Sequence, residues 1–248
     1  MKVNKKIYVG SVVETKECGL AEIVEVIGGK HVRVKFIDTG KHTHIFQRGH
    51  FSLGGIRDPY RPAKYGVGYI GVGVYTKIWT KEVKQAHRIW TDVLRRSYDE
   101  VFHKKYPTYE DCTVCDEWLN FQNFADWYLN HESYGLGYDL DKDLLVRGNK
   151  KYSPETCCML PSEINATIQE GVLKDRGLPR GVYKHAGGGY FARLVAGEKG
   201  TIYDRFDNVE EAEIFYKKQK REDLTRKAEK WKYLVTIDVY ESLKAWEV

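Results

Sequence analysis

What the chain lacks narrows the possibilities first. None of its apolar runs approaches the roughly 18–20 residues needed to cross a bilayer, and the opening MKVNKKIYVG has no apolar core of the signal-peptide kind. A cytoplasmic location without a membrane partner is the expectation. The cysteines, Cys18, Cys112, Cys115, Cys157 and Cys158, are odd in number, which argues against a disulfide framework and predicts reduced thiols. The glycine-punctuated stretch YGVGYIGVGVYT is not followed by Lys-Ser/Thr at phosphate-loop spacing, and no GxGxxG opens a helix, so a nucleotide site is not expected. Carboxylates are missing from Arg176 through Val195, where Arg176, Arg180, Lys184, His185 and Arg193 all fall. A cationic stripe free of acids is what phosphate neutralisation requires.

What is present is enough to build cores: 42% of the 248 residues are hydrophobic and 13% aromatic. The length predicts two or three compact units, of a mixed α+β, multidomain class. The first, residues 1–58, alternates apolar and polar positions (Ala21, Ile23, Val26, then Val32, Val34, Phe36) around the turn residues Gly28 and Gly29, which predicts a small β-barrel. Lys30, His31, Arg33 and Lys35 give that barrel a basic strand, an accessory surface for DNA or for a protein partner. The second, residues 65–170, carries two aromatic stripes at helical spacing. One is Val83, Ala86, Trp90, Val93, Leu94 and Tyr98; the other is Trp118, Phe121, Phe124, Ala125 and Tyr128, and both read as core. The third, residues 175–248, shows three short β runs set apart by glycines. A helix follows, with Asn208 as N-cap, Glu211 at the capping-box position and an inward stripe of Ala212, Phe215 and Tyr216.

In the third segment Arg180-Gly181-Val182, Tyr190, Ala192, Phe206, Glu210-Glu211-Ala212 and Tyr216 fall in register with the DNA-binding domain of plant ethylene-response factors, which this segment resembles over about residues 178–220. The resemblance implies a three-stranded sheet lying in the major groove with a helix packed behind it. It also implies double-stranded DNA contacts from Arg176, Arg180, Tyr183, Lys184, Tyr190, Arg193 and Lys199. Because side chains alternate across a strand, Arg180, Lys184, Tyr190 and Arg193 are expected to face DNA while Val182, Ala192 and Leu194 seat the helix. Arginine supplies guanine recognition, and lysine and tyrosine mostly phosphate contact.

The middle segment resembles phage HNH-like homing endonucleases over roughly residues 87–168. The matching positions are Trp90, Leu94 and Tyr98; Tyr109, Val114, Glu117-Trp118, Phe121, Phe124 and Trp127; then Asp141-Lys142-Asp143, Gly148-Asn149, Tyr152-Ser153-Pro154 and Cys157. The resemblance implies a ββα nuclease centre: a first strand in DLDKDLL, a loop and return strand in VRGNKKYSPETC, and a helix in LPSEINATIQ. Asp141 or Lys142 stands where such centres carry a histidine. In the enzyme reading Asp141, Lys142 and Asn149 are the catalytic candidates, and Asp139, Asp141, Asp143 and Asn165 hold Mg²⁺ or Mn²⁺ for phosphodiester hydrolysis. In the other reading the chain is an inactive DNA-binding regulator or architectural protein descended from such an enzyme. There Asp141 and Asp143 anchor a turn or pair with Arg147 and Lys150. Cys112, Cys115 and Cys157 are either ligands of a structural Zn²⁺ or buried thiols.

Overall fold

The computed structural model describes residues 7–169, 177–196 and 200–248, in a mixed α+β arrangement of several small sheets. The chain divides into two compact units, Met1–Asn130 and His131–Val248. The segment 1–58 lies wholly in the first and 175–248 wholly in the second, while 65–170 runs across the division.

In the first unit, strands β1 (Val12–Glu14), β2 (Leu20–Ile27), β3 (His31–Phe36) and β4 (His42–Gln47) form an antiparallel sheet in the order β1-β2-β3-β4. Both residues of the Gly28–Gly29 turn take positive φ, which glycine alone tolerates cheaply. Ala21, Ile23, Val32, Val34 and Phe36 are fully buried on one face and pack with Phe51 of helix α1 (Arg48–Ser52). The opposite face of β3 presents His31, Arg33 and Lys35, with Arg33 paired to Glu25 at 2.7 Å. The expected barrel does not close: β1 and β4 are the edges of an open sheet. Register shifts in β2 and β3 mark bulges, but among the described residues the sheet has four strands, β1 is three residues long, and β4 leads into a helix.

The rest of this unit is helical around an aromatic core. Helix α2 (Lys81–Tyr98) is capped by Thr80 and buries Val83, Ala86, Trp90, Val93 and Leu94, the periodic stripe of the sequence. Helix α3 (Glu100–Lys105) follows, capped by Asp99, and then the short strand β5 (Thr113–Val114). Helices α4 (Asp116–Leu119) and α5 (Phe121–Asn130) bring Trp118, Phe121, Phe124 and Tyr128 into the interior. Trp90 donates its indole N–H to the Trp118 carbonyl at 2.7 Å, so its one polar atom is satisfied in an otherwise apolar site.

The second unit begins with strand β6 (Asp139–Asp141), the short strand β7 (Lys151–Tyr152), strand β8 (Cys158–Leu160) and helix α6 (Ser162–Ile168). β6 and β8 pair antiparallel, Asp139 opposite Leu160 and Asp141 opposite Cys158. This strand–loop–strand–helix segment is called the finger below. Next comes a sheet of β9 (Val182–Lys184), β10 (Tyr190–Val195) and β11 (Thr201–Phe206), with β10 in the centre. Helix α7 (Val209–Trp231) and helix α8 (Ile237–Ala245) complete the unit.

Helix α7 serves both halves. Asn208 caps it by accepting from Glu211 N at 2.8 Å, and its first turns bury Ala212 and Tyr216 against Val182 and Ala192 of the sheet. Its last turns bury Leu224 and Ala228 in a separate core. That core is shared with Leu144, Leu160, Ile164 and Ile168 of the finger and Val239 and Leu243 of α8. Gly181 shows how tightly the sheet is seated: its φ is 73°, and an added Cβ would lie 2.1 Å from the Tyr216 ring.

Candidate functional site

The register of the three-stranded sheet decides which side chains are available. Residues directly opposite across a ladder share a face, and neighbours along a strand alternate. Ala192 stands opposite Val182 and Asp204, Tyr190 opposite Lys184 and Phe206, and Leu194 opposite Ile202. This is the face that α7 covers. The open face carries Tyr183, Phe191, Arg193, Tyr203 and Arg205, since Phe191 pairs with Tyr183 and Arg205, and Arg193 with Tyr203. Each arginine therefore faces an aromatic ring across the ladder. Tyr183 and Phe191 stack with centroids 5.0 Å apart, and Tyr203 is 70% exposed. Among the described residues, neither Arg193 nor Arg205 has a side-chain hydrogen bond or ion pair, and no strand position on this face is a carboxylate; Asp207 and Glu211 line a cleft with Arg205 beyond the strand end.

Two of the expected DNA contacts change side. Tyr190 packs against the Val182–Ala192–Ala212–Tyr216 core, and Lys184, opposite it, lies on the helix-side face at the end of an edge strand. Strict alternation from the buried Ala192 requires this. Arg193 and Tyr183 are on the open face, and Val182, Ala192 and Leu194 do seat the helix. Arg180 sits half-buried in the turn before β9. Arg176 and Lys199 lie outside the described residues. Phe191, Tyr203 and Arg205 were not anticipated, although they occupy the same alternating parity as Arg193 and Tyr183.

In the finger, the Asp141–Asn149 stretch is closed by its own polar groups. Asp141 Oδ1 accepts the backbone N–H of Asp143 at 2.9 Å and of Leu144 at 2.8 Å, an Asx-type turn. The carboxylate is buried, and that burial pushes its pKa above the ordinary range; the two amide bonds act in the opposite direction. Lys142 is buried as well. Its Nζ donates to Asp143 Oδ1 at 2.7 Å and to the Asn149 carbonyl at 2.8 Å, and lies 5.9 Å from the centre of the Tyr152 ring. Asn149 Nδ2 donates to the carbonyls of Lys142 (2.9 Å) and Lys151 (2.7 Å), while its Oδ1 accepts from Lys151 N at 3.1 Å. Asn149 is thus a clip within the loop. On α6, Asn165 donates to Asp139 Oδ2 at 3.3 Å, joining the helix to the first strand.

These residues do not fit a divalent cation. Among the described residues no group of three or more His, Cys, Asp or Glu side chains comes together as a metal site requires. Asp139, Asp141 and Asp143, expected to converge, make three separate attachments: to Asn165, to two backbone amides and to Lys142. Of the two arrangements open to Asp141 and Asp143, turn anchoring or pairing with Arg147 and Lys150, Asp141 takes the first, and Arg147 reaches Glu247 at 3.6 Å and lies over the Trp246 ring. His131 accepts from Ser133 N, and His103 bonds the Arg96 carbonyl, so both serve local turns.

All five cysteines are buried free thiols. Cys112 and Cys115 belong to the first unit and Cys157 to the second. Burial pushes the Cys157 thiol up to about 12. Cys158 is pushed up in the same way.

No family model, curated protein or solved structure matches the chain.

Proposed function

We propose that the chain is a sequence-specific double-stranded-DNA-binding protein that grips the duplex with the open face of the β9–β10–β11 sheet. The observation that carries this reading is the ladder register, which leaves Arg193 and Arg205 outward, each opposite an aromatic ring, on a face whose strand positions carry no carboxylate among the described residues. Both guanidinium groups are available for base edges or phosphates, and Tyr183, Phe191 and Tyr203 offer apolar surface to thymine methyls and sugars. The finger is an architectural partner in this reading. Its aspartates, Lys142 and Asn149 are consumed by bonds that hold the loop, which favours the inactive descendant of a nuclease over the enzyme.

One observation favours the enzyme reading. Strand, loop, antiparallel strand and helix follow in the order that the ββα resemblance implies, with Asn165 brought to Asp139.

A single experiment addresses both readings. Duplexes are selected from a random pool on the full-length protein, and the enriched sequence is measured by fluorescence anisotropy and incubated on a supercoiled circle with Mg²⁺ or Mn²⁺. Enrichment of a defined motif, with the circle left intact, is the expected result. Failure to enrich any motif defeats the DNA-reading proposal. Metal-dependent nicking that is lost in Asn149→Ala restores the enzyme.

A further inference from the structure

The loop between β6 and β8 is long for the two three-residue strands it joins. In a finger of this kind, a cation that takes oxygen ligands from several points of the loop can hold its course. Here the side chain of Lys142 is 8% exposed and meets two such oxygens, the Asp143 carboxylate and the Asn149 carbonyl, with the face of the Tyr152 ring beside them. An ammonium donates up to three hydrogen bonds and accepts none, and a buried one persists only where its surroundings are arranged to receive it. The arrangement is reciprocal, because Asn149 returns a bond to the Lys142 carbonyl. Residue 142 is therefore tied to residue 149 through both its side chain and its backbone.

We propose that the Lys142 ammonium is the structural cation of the finger. It holds the loop between β6 and β8 as a bound divalent ion would, so the finger keeps its shape without metal and its aspartates are closed to Mg²⁺ and Mn²⁺. This proposal does not rest on DNA binding, and none of its readouts involves DNA. It accounts for a basic residue between two aspartates, where a metal-binding loop would be weakened by the extra positive charge.

The test uses the full-length protein. Wild type is melted in chelator and in excess Mg²⁺, Mn²⁺ binding is followed by the electron paramagnetic resonance of the free ion, and limited proteolysis reports opening of residues 142–151. The expected wild-type result is the same melting temperature in chelator and in Mg²⁺, with no stoichiometric loss of the free Mn²⁺ signal. Lys142→Met keeps the length and apolar stem but removes the charge. It should be cut within the loop roughly tenfold faster or more, as expected for losing hydrogen bonds from a charged group. One Mn²⁺ bound per wild-type molecule and released by Asp143→Asn overturns the proposal, as does a fall in melting temperature in chelator. Wild-type protection of the loop in Lys142→Met overturns it equally. If that variant does not fold, the two wild-type measurements decide.

Discussion

The sheet and the finger of the second unit make opposite use of the same kinds of residue. In the sheet, Arg193 and Arg205 point outward with no side-chain partner among the described residues. In the finger, Lys142 is buried between Asp143 and Asn149, and Arg147 is turned onto Trp246 and Glu247. A binding surface must leave its donors to the ligand, because donors already paired would have to give up those bonds first. A scaffold gains by consuming them. Composition already sets them apart, since Arg176 through Val195 holds no carboxylate while the finger mixes both signs, and the partner of each charge sharpens the difference.

The sharpest way to break this contrast is to strip the open face. Arg193→Ala combined with Arg205→Ala should weaken binding to the selected duplex by about 10²–10⁴-fold at fixed salt and make the log K against log salt slope shallower by about two. Anisotropy titrations at several salt concentrations read both, and an unchanged slope would place the DNA contact elsewhere. The next effect attacks the sheet's seat instead of its charge. Gly181→Ala forces a left-handed backbone on alanine and drives its Cβ into the Tyr216 ring, at a cost of about 2–4 kcal/mol by urea unfolding.

On the finger side, Asp141→Ala removes the acceptor of two backbone amides and should cost about 1–3 kcal/mol. Asp141→Asn keeps an oxygen for both amides, and its difference from wild type should depend on pH. Because burial raises the folded-state pKa of Asp141 above its unfolded value, the folded protein keeps this proton over a range where the unfolded chain has released it. That contribution to stability is complete below the unfolded pKa and is lost as pH rises through the folded one. The asparagine variant should therefore gain on wild type as pH rises from the ordinary carboxylate range through the raised folded value. A constant difference in urea midpoint across that range would refute the assignment. The smallest effect belongs to Lys184→Ala: with its side chain on the helix-side face, affinity should change by no more than about twofold.

Much of the fold was legible because it is written in local periodicity. The stripes of α2 and α5, the Asn208 cap and the Gly28–Gly29 turn all follow from residues within a few positions of one another. The open edges of the first sheet were not legible, since closure depends on a further strand that no local pattern supplies. The phase of the sheet was legible at Val182, Ala192 and Leu194, whose helix-side placement assigns every alternate residue of β9 and β10 to the same face. Tyr190 and Lys184 were placed with Arg193 although they share the parity of Ala192 and Val182, and Phe191, Tyr203 and Arg205 were missed. Alternation from Ala192 and Val182 recovers Tyr190, Phe191 and Lys184, whereas Tyr203 and Arg205 depend on the register with β11, which only the folded sheet displays. The Asp141–Asp143 pattern carried two meanings, metal ligation and an Asx turn. What separates them is the path of Lys142, which only the folded loop displays.

Helix α7 has one more consequence, which concerns linkage. Its 23 residues run roughly 35 Å, with the first turns in the core of the sheet and the last in the core of the finger. Unfolding either core strips one end of the same helix of its packing, so the two are thermodynamically joined even though no residue belongs to both. A ligand held by the sheet adds its binding free energy to the state in which α7 is intact. Amide protons of Leu144 and Leu160, on the finger's side of that helix, should then exchange more slowly when DNA occupies a face they never touch.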